Sequence, residues 1–394
     1  MLSRASAASL RTTARLARCP VGGASVSSRC FLSSFFASSA PTQADVVLVG
    51  CGVPGRGMGW YHAKQMLDGD VPSARLTDVV EPWFLGGGAD SPAGQEFAEF
   101  VKEHEGTVKF HKSVQDMDKA TAPKLALISG RTADNPQLLK EVIEQGCSHI
   151  FLEKPGAPSV PELEDMKAIA EENDVGVFMG YNKNVTKYVT DARAFEDSTP
   201  GASTAFYHNN AYKPEELAEC FERNAEGMLK NMAVHELALL VTYYGVTADN
   251  IAECVADKEY SSVQTLGGYT DFDAIGFTVT TKEGKTVSVY ADRCGDQEGG
   301  GYSEAIVSVD GEEKFRAKTP DEELMKVVAT KQAAHPDWMP YFHLQHDDYI
   351  TLKERVCKHM VDGSPAEGIA TIGVAIETLK VAEKLTPFLQ KQLL

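Results

Sequence analysis

The first 44 residues contain no aspartate and no glutamate, an absence that separates them from everything that follows. They carry Arg4, Arg11, Arg15, Arg18 and Arg29 among many serines and alanines. At ~100° per residue the first four arginines fall within about a 60° arc opposite Leu2, Leu10 and Leu16, which predicts a basic amphipathic helix. This is the composition of an organellar transit peptide, and Arg29-Cys30-Phe31-Leu32-Ser33 resembles the site cut by mitochondrial processing peptidase. The expected address is the mitochondrial matrix, with a plastid as the alternative.

Three further absences narrow the class. No CxxC pair occurs among the eight cysteines, so a disulfide framework or a structural zinc site is not expected. No stretch of 18 apolar residues occurs, so no membrane-spanning helix and no membrane partner are expected. Basic residues are scarce: 38 Lys and Arg face 56 Asp and Glu, and all five arginines of the leader count among the 38. So acidic a chain disfavours nucleic acid and anionic lipid as partners. The remaining length is enough for two domains, each with its own core.

What is present begins with an apolar strand, Asp45-Val46-Val47-Leu48-Val49, running into Gly50-Cys51-Gly52-Val53-Pro54-Gly55. The glycines have the G-x-G-x-x-G spacing of a dinucleotide turn. The first allows the tight bend, the second lets the backbone approach a pyrophosphate, and the third lets a helix pack close to the strand. A helix over 58–67 follows, its amino end facing the phosphates. Strands at 74–80, 107–110, 124–128, 149–152 and 175–180 alternate with helices at 91–104, 135–145 and 159–172, which predicts a doubly wound parallel sheet. Glu81 ends the second strand, 26 residues after Gly55, where a carboxylate accepts from an adenosine ribose and repels a 2′-phosphate. The cofactor expected is therefore NAD, with NADP possible through Arg56. Ser129 and Arg131 follow the fourth strand and are placed to touch pyrophosphate or ribose; Asn135 either joins them or caps a helix.

From 186 the periodicity changes. A strand at 201–209 and helices at 214–223 and 228–244 lead into short β segments over 251–315, broken by Gly-rich turns, and then into helices at 348–361 and 367–385. This predicts an α+β domain over 183–394, following a Rossmann domain over 45–182, with a cleft between them for substrate.

The glycine turn, Phe151-Leu152-Glu153-Lys154-Pro155, Met179-Gly180-Tyr181-Asn182 and Asn231-Met232-Ala233-Val234-His235, in that order, resemble the Gfo/Idh/MocA oxidoreductases. The resemblance spans 45–385. It implies an open, mostly antiparallel second sheet that builds a homo-oligomer. The implied chemistry is hydride transfer between a sugar, inositol or related polyol CH–OH group and the nicotinamide. Catalytic roles come with it: Lys154 beside the developing alkoxide, His235 as proton acceptor, and Asn231, where the family usually has Asp, orienting the histidine. Glu153 resembles a cofactor-side acid, and Tyr181 and Asn182 resemble cofactor and substrate contacts.

The chemistry of the residues agrees with these roles. A lysine at the carboxyl end of a parallel strand sits where ligands of open α/β sheets gather, and histidine titrates near neutral pH. His208, Asn209, Asn210 and Tyr212 are either polyol contacts or a polar sheet edge. His343, His346, Asp347 and Asp348 lack the convergent set a metal needs, so no metal is expected. Two other readings stay open: a regulatory NAD(P)-binding protein with reduced catalysis, and transient oxidation in the service of glycoside cleavage.

Overall fold

The computed structural model describes residues 42–296 and 300–394; the expected transit peptide lies outside the described residues. Strands and helices alternate through the first half: β1 (Ala44–Val49), α1 (Met58–Leu67), β2 (Ala74–Val80), α2 (Pro92–His104), β3 (Lys109–His111), β4 (Lys124–Ile128), α3 (Asn135–Glu144), β5 (His149–Leu152), α4 (Val160–Glu172) and β6 (Gly176–Met179). The strands pair in parallel in the order β3-β2-β1-β4-β5-β6. The order reverses between β1 and β4, which leaves a crevice at their carboxyl ends. Val46 to Val49, Leu125 to Ile128 and Ile150 to Leu152 are all buried, as continuous apolar strands covered on both faces must be.

The second half runs through α5 (Lys187–Asp197), β7 (Ala202–Asn209), α6 (Leu217–Arg223) and α7 (Val234–Tyr244). The strands β8 (Ile251–Ala256), β9 (Ser262–Leu266), β10 (Tyr269–Thr281), β11 (Thr286–Asp292), β12 (Tyr302–Val309) and β13 (Glu312–Thr319) follow. They form a mostly antiparallel sheet, β13-β12-β7-β11-β10-β8, in which β7 and β11 run parallel and β9 pairs with β10. Alternation gives it two unlike faces. Phe206, Val287, Val289 and Val307 are buried against α7 and the last helix, while Tyr207 and Tyr290 stack at 4.5 Å on the uncovered face.

The chain ends in α8 (Glu322–Ala334), α9 (Pro340–Leu344), α10 (His346–Asp362) and α11 (Ile372–Leu393). Here the division at 182 fails. Phe342, Tyr349, Leu352 and Val356 join the core on the α1 side of the first sheet. Ala370, Ile372, Ala375 and Leu379 join the core on its α4 side. The far half of α11, with Val381, Leu385 and Leu389, belongs to the core of the second sheet. One terminal helix therefore closes both domains, a long-range packing that no local periodicity encodes.

Three helices, α5, α8 and the five-residue α9, were not expected. α5 buries only Tyr188, Val189 and Ala192, and α8 buries nothing, so neither has a strong apolar stripe. α8 forms on propensity and on its cap, where the Leu324 N–H donates to Asp321 Oδ1 at 2.8 Å.

Candidate active site

The turn after β1 has the backbone that its glycines require: φ is +84° at Gly50, +74° at Gly52 and +76° at Gly55. A Cβ on Gly50 would lie 2.9 Å from Gly130 Cα, so only glycine lets the ends of β1 and β4 meet at the crevice floor. Val53 and Pro54 form the bend, and the Gly57 N–H donates to Val53 O at 2.7 Å. The role expected of Gly55 belongs to another residue. Because α1 starts only at Met58, the glycine packed on the strand is Gly59, whose Cβ would fall 1.9 Å from Gly50 O. Gly55 faces Trp338 instead, and its carbonyl accepts from the Met339 N–H at 3.2 Å.

The crevice has a volume of about 720 Å3 and is lined by Gly50, Gly52, Glu81, Trp83, Ser129 and Arg131 among others. Glu81 is buried. The Gly52 N–H donates to its Oε2 at 2.9 Å and the Trp83 N–H to its Oε1 at 3.1 Å, so the carboxylate braces the glycine turn as well as facing the crevice. Arg131 is exposed and has no ion pair among the described residues, leaving a cation at the rim. Arg56 pairs with Glu96 at 2.8 Å on the surface. Asn135 is neither cap nor crevice contact. It lies inside α3, behind a 3-10 turn, and its amide donates to Gly156 O at 2.8 Å. A bent glycine backbone, a carboxylate at the β2 end and a rim arginine fit a dinucleotide.

At the end of β5, Glu153 and Lys154 point opposite ways, as adjacent residues of an extended chain do. Glu153 turns toward α1 and α10. His62 Nε2 lies 3.0 Å from its Oε1, and Lys353 Nζ donates to His62 Nδ1 at 3.1 Å and to Gln65 Oε1 at 2.6 Å. Burial pushes His62 down to about 4 and Lys353 down to about 7, so His62 is neutral and donates from Nε2 to Glu153. Lys154 has no ion pair or hydrogen bond among the described residues, and its charge bears on His235 and Lys183. Its ammonium is uncommitted among the described residues.

His235 is 9% exposed and its Nδ1 is buried without a hydrogen-bond partner. Burial, followed by the charges of Lys154 and Lys183, holds its proton affinity well below that of a free imidazole. Asn231 does not orient it. α7 begins at Val234 rather than 228, because the preceding chain is a series of turns held by the Met228 N–H donating to Asp271 Oδ1 at 3.1 Å. Asn231 thus lies before the helix, not one turn along it, and its amide donates to Glu226 at 2.9 Å. Tyr181 is fully buried, edge-on to the His235 ring at 5.8 Å, and forms a wall rather than a substrate contact.

The neighbouring Glu236, fully buried, takes the ammonium of Lys183 and faces His208 Nδ1 at 3.3 Å. Lys183 above all holds its carboxyl far below the usual range despite burial. Glu236 and Lys183 were missed because their pairing joins segments 53 residues apart. The one local signal was an acid inside an apolar helix.

Asn182 is buried beside Asp348, which also accepts from Thr186 Oγ1 at 2.9 Å. Burial raises Asp348 from the usual 3.8 to about 7. The folded protein therefore keeps a proton that the unfolded chain loses between these values. Stability from this group is present below pH 3.8 and falls as pH rises toward 7, by roughly 1.4 kcal/mol per unit. Asp348→Asn keeps the acceptor and removes the titration. The stability gap between variant and wild type is expected to widen by about 2–3 kcal/mol from pH 5 to pH 7.5 in urea unfolding; a constant gap would contradict the assignment.

No group of three or more metal-binding side chains is gathered among the described residues. His343 stacks on Trp338, and His346 Nδ1 lies 2.6 Å from the Tyr61 hydroxyl.

The comparisons with known proteins bear on the fold and on the family of its first domain. No protein of curated function matches the chain. The fold is shared with a probable dehydrogenase from Thermotoga maritima, at 16% identity and a TM-score of 0.61 over 85% of this chain and 93% of that one. A scyllo-inositol dehydrogenase from Lactobacillus casei, solved with NAD(H) and scyllo-inositol, is similar at 12% identity and a TM-score of 0.59 over 87% and 96%. A myo-inositol dehydrogenase from Corynebacterium glutamicum gives 15% identity and 0.59 over 86% and 95%. Residues 45–181 match the oxidoreductase family described by its NAD-binding Rossmann fold. The domain built around this glycine turn is a member of the Gfo/Idh/MocA family.

Proposed function

We propose that the protein is an NAD-dependent dehydrogenase that removes hydride from a CH–OH carbon of a sugar, inositol or related polyol. The observation that carries this reading is the uncommitted ammonium of Lys154 at the carboxyl end of β5, whose charge bears on His235 and Lys183, the latter paired with Glu236, which also faces His208. The inositol dehydrogenases that share the fold support the choice of a cyclic polyol.

NAD would supply the hydride acceptor. Gly50, Gly52 and Gly55 would admit its pyrophosphate, Arg131 would offset the phosphate charge, and Glu81 would receive a ribose hydroxyl. Lys154 would lie beside the substrate oxygen, where an ammonium stabilises charge as the hydroxyl proton leaves, and a cleft histidine would accept that proton. The pairing of Arg56 with Glu96 and the carboxylate at position 81 both favour NAD over NADP. The uncovered sheet face bearing Tyr207, Tyr260 and Tyr290 would receive a second copy of the chain. The arginine-rich, acid-free residues 1–44 support an address in the mitochondrial matrix.

The direct test mixes the purified protein with NAD or NADP and a panel of inositols, hexoses and alditols, and follows absorbance of the reduced nicotinamide. Reduction of NAD by one member of the panel, with NADP at least tenfold poorer, is the expected result. Tight NAD binding with no reduction by any polyol would favour a regulatory NAD-binding protein instead. That reading draws on the diversion of Asn231 from His235.

A further inference from the structure

Of the three tryptophans, one stands outside the packing that holds the others. Trp60 and Trp338 meet edge to face at 5.0 Å, whereas Trp83 leaves 62% of its surface open and lines the crevice. An exposed aromatic side chain by itself says little. This one is held in place.

The chain between β2 and α2 builds a seat for the ring. The Gly86 and Gly88 N–H groups donate to Trp83 O at 3.1 and 2.8 Å, which folds the segment back over its own side chain. A Cβ on Gly88 would lie 2.3 Å from Nε1 of the indole and 2.6 Å from both Cδ1 and Cε2. Such similar distances to three adjacent ring atoms place position 88 over the face of the five-membered ring, since an approach along the ring edge would leave the outer two much farther off. Gly87 follows beside the six-membered ring, where its Cβ would meet Cζ3 at 3.5 Å. The seat is anchored in turn: Ser91 Oγ donates to Gly88 O at 2.7 Å and caps α2 by accepting from the Gly94 N–H at 3.0 Å. Phe84, the next residue, stacks on Phe97 of the core at 5.7 Å. Backbone therefore covers one face of the indole, and the surface left open belongs to the other face and the rim.

The place suits a base. Glu81 faces the crevice at the end of β2, where the adenosine ribose of a dinucleotide is received, and the pyrophosphate belongs at the glycine turn after β1. The base carried by that ribose then lies beyond it, at the β2 margin of the crevice. The Trp83 N–H donates to Glu81 Oε1 at 3.1 Å, so one hydrogen bond fixes the platform residue relative to the ribose carboxylate. From the β4 side of the turn the crevice is lined by Arg131 and Leu138.

We propose that the open face of Trp83, seated in advance by Gly87 and Gly88, is the platform on which the adenine of NAD stacks. This role rests on NAD occupying the crevice and is independent of the choice of polyol. Stacking of a base on an aromatic side chain contributes roughly ten- to a hundredfold in affinity. A ring already held in the bound orientation gives up little freedom when the base arrives.

The test measures binding of NAD and of ADP-ribose, which carries the adenosine half without the nicotinamide, to the whole protein by calorimetry and by tryptophan emission. Trp83→Leu keeps an apolar side chain but no ring; it is expected to weaken both ligands by the same factor, about twentyfold, with the unfolding midpoint unchanged. Trp83→Phe restores a ring and is expected to stay within about threefold of wild type. The part of the emission that Trp83→Phe removes is expected to be quenched at saturating ADP-ribose.

Gly88→Ala supplies an independent arm. Gly88 does not have positive φ, and the three atoms nearest its Cβ all belong to Trp83. The methyl group is expected to push the ring off its seat and reproduce the loss of about twentyfold, yet to cost less than about twofold when Trp83→Leu is already in place. Wild-type affinity for ADP-ribose in Trp83→Leu, equal losses in Trp83→Leu and Trp83→Phe, or an emission that ADP-ribose leaves unchanged overturns the platform. A wild type that binds neither ligand overturns it together with the cofactor reading, whereas failure of every polyol to reduce NAD falls on the dehydrogenase reading alone.

Discussion

Lys154→Met is expected to lower kcat/KM about a thousandfold, equivalent to roughly 4 kcal/mol of transition-state stabilisation, with little change in NAD affinity or in unfolding midpoint. The prediction is this clean because Lys154 holds nothing else in place. Without an ion pair or hydrogen bond among the described residues, its removal strands no buried carboxylate. Methionine keeps the apolar stem against the strand end. Lys183 makes the contrasting case. Its ammonium neutralises the fully buried Glu236, so its loss would cost stability first and activity as a consequence. Steady-state kinetics, a fluorescence titration with NAD and a urea curve on the same preparation separate the two kinds of effect. A Lys154→Met protein that turns over normally would remove the foundation of the proposed chemistry.

Gly59→Ala is expected to do comparable damage by a different route. Its Cβ would fall 1.9 Å from Gly50 O and 2.8 Å from Cys51 O, and both obstacles are backbone atoms with no rotamer to escape into. α1 would have to move off β1, pulling its amino end and the turn away from the crevice. A loss of about 3 kcal/mol in stability and at least a hundredfold in NAD affinity is expected. Gly55→Ala is the informative control. Position 55 also has positive φ, but the nearest atom to a Cβ there is 3.6 Å away on the Trp338 side chain. Its cost should be the conformational one alone, about 1–2 kcal/mol. Equal effects at 55 and 59 would show that turn conformation, and not helix packing, limits cofactor binding.

These two positions illustrate what a sequence can and cannot convey about this fold. The six strands of the first sheet, the glycine turn and Lys154 at the end of β5 were all readable, because each depends on a run of a few residues with a strong local preference. Gly59 was not, because it falls outside the motif's spacing and its role shows only in how closely α1 lies on Gly50 O and Cys51 O. Asn231 was misread because the four-residue spacing to His235 means one helical turn only if both lie in the helix, and α7 starts between them. Glu236, Lys183 and His208 belong to three separate elements, and their meeting follows from the packing of α7 against β7 and the end of β6. α8 lacked any buried face to betray it.

The return of α10 and α11 to the first sheet also bears on the order of synthesis. All six strands of the cofactor sheet are complete by Met179, yet Phe342, Leu352 and Val356 on one face and Ala375 and Leu379 on the other arrive only with the carboxyl-terminal helices. A nascent chain that has emerged as far as β13 therefore displays apolar ground on both sides of its nucleotide domain. Contacts of such long sequence separation form late, and until they do the exposed surface is a target for chaperones and for self-association. The dinucleotide turn shares this dependence, because the Met339 N–H that braces Gly55 lies just ahead of α9. Competence to hold the cofactor is therefore expected to depend on α9 to α11, and a chain truncated near residue 340 is expected to lose it while keeping every residue of the glycine motif.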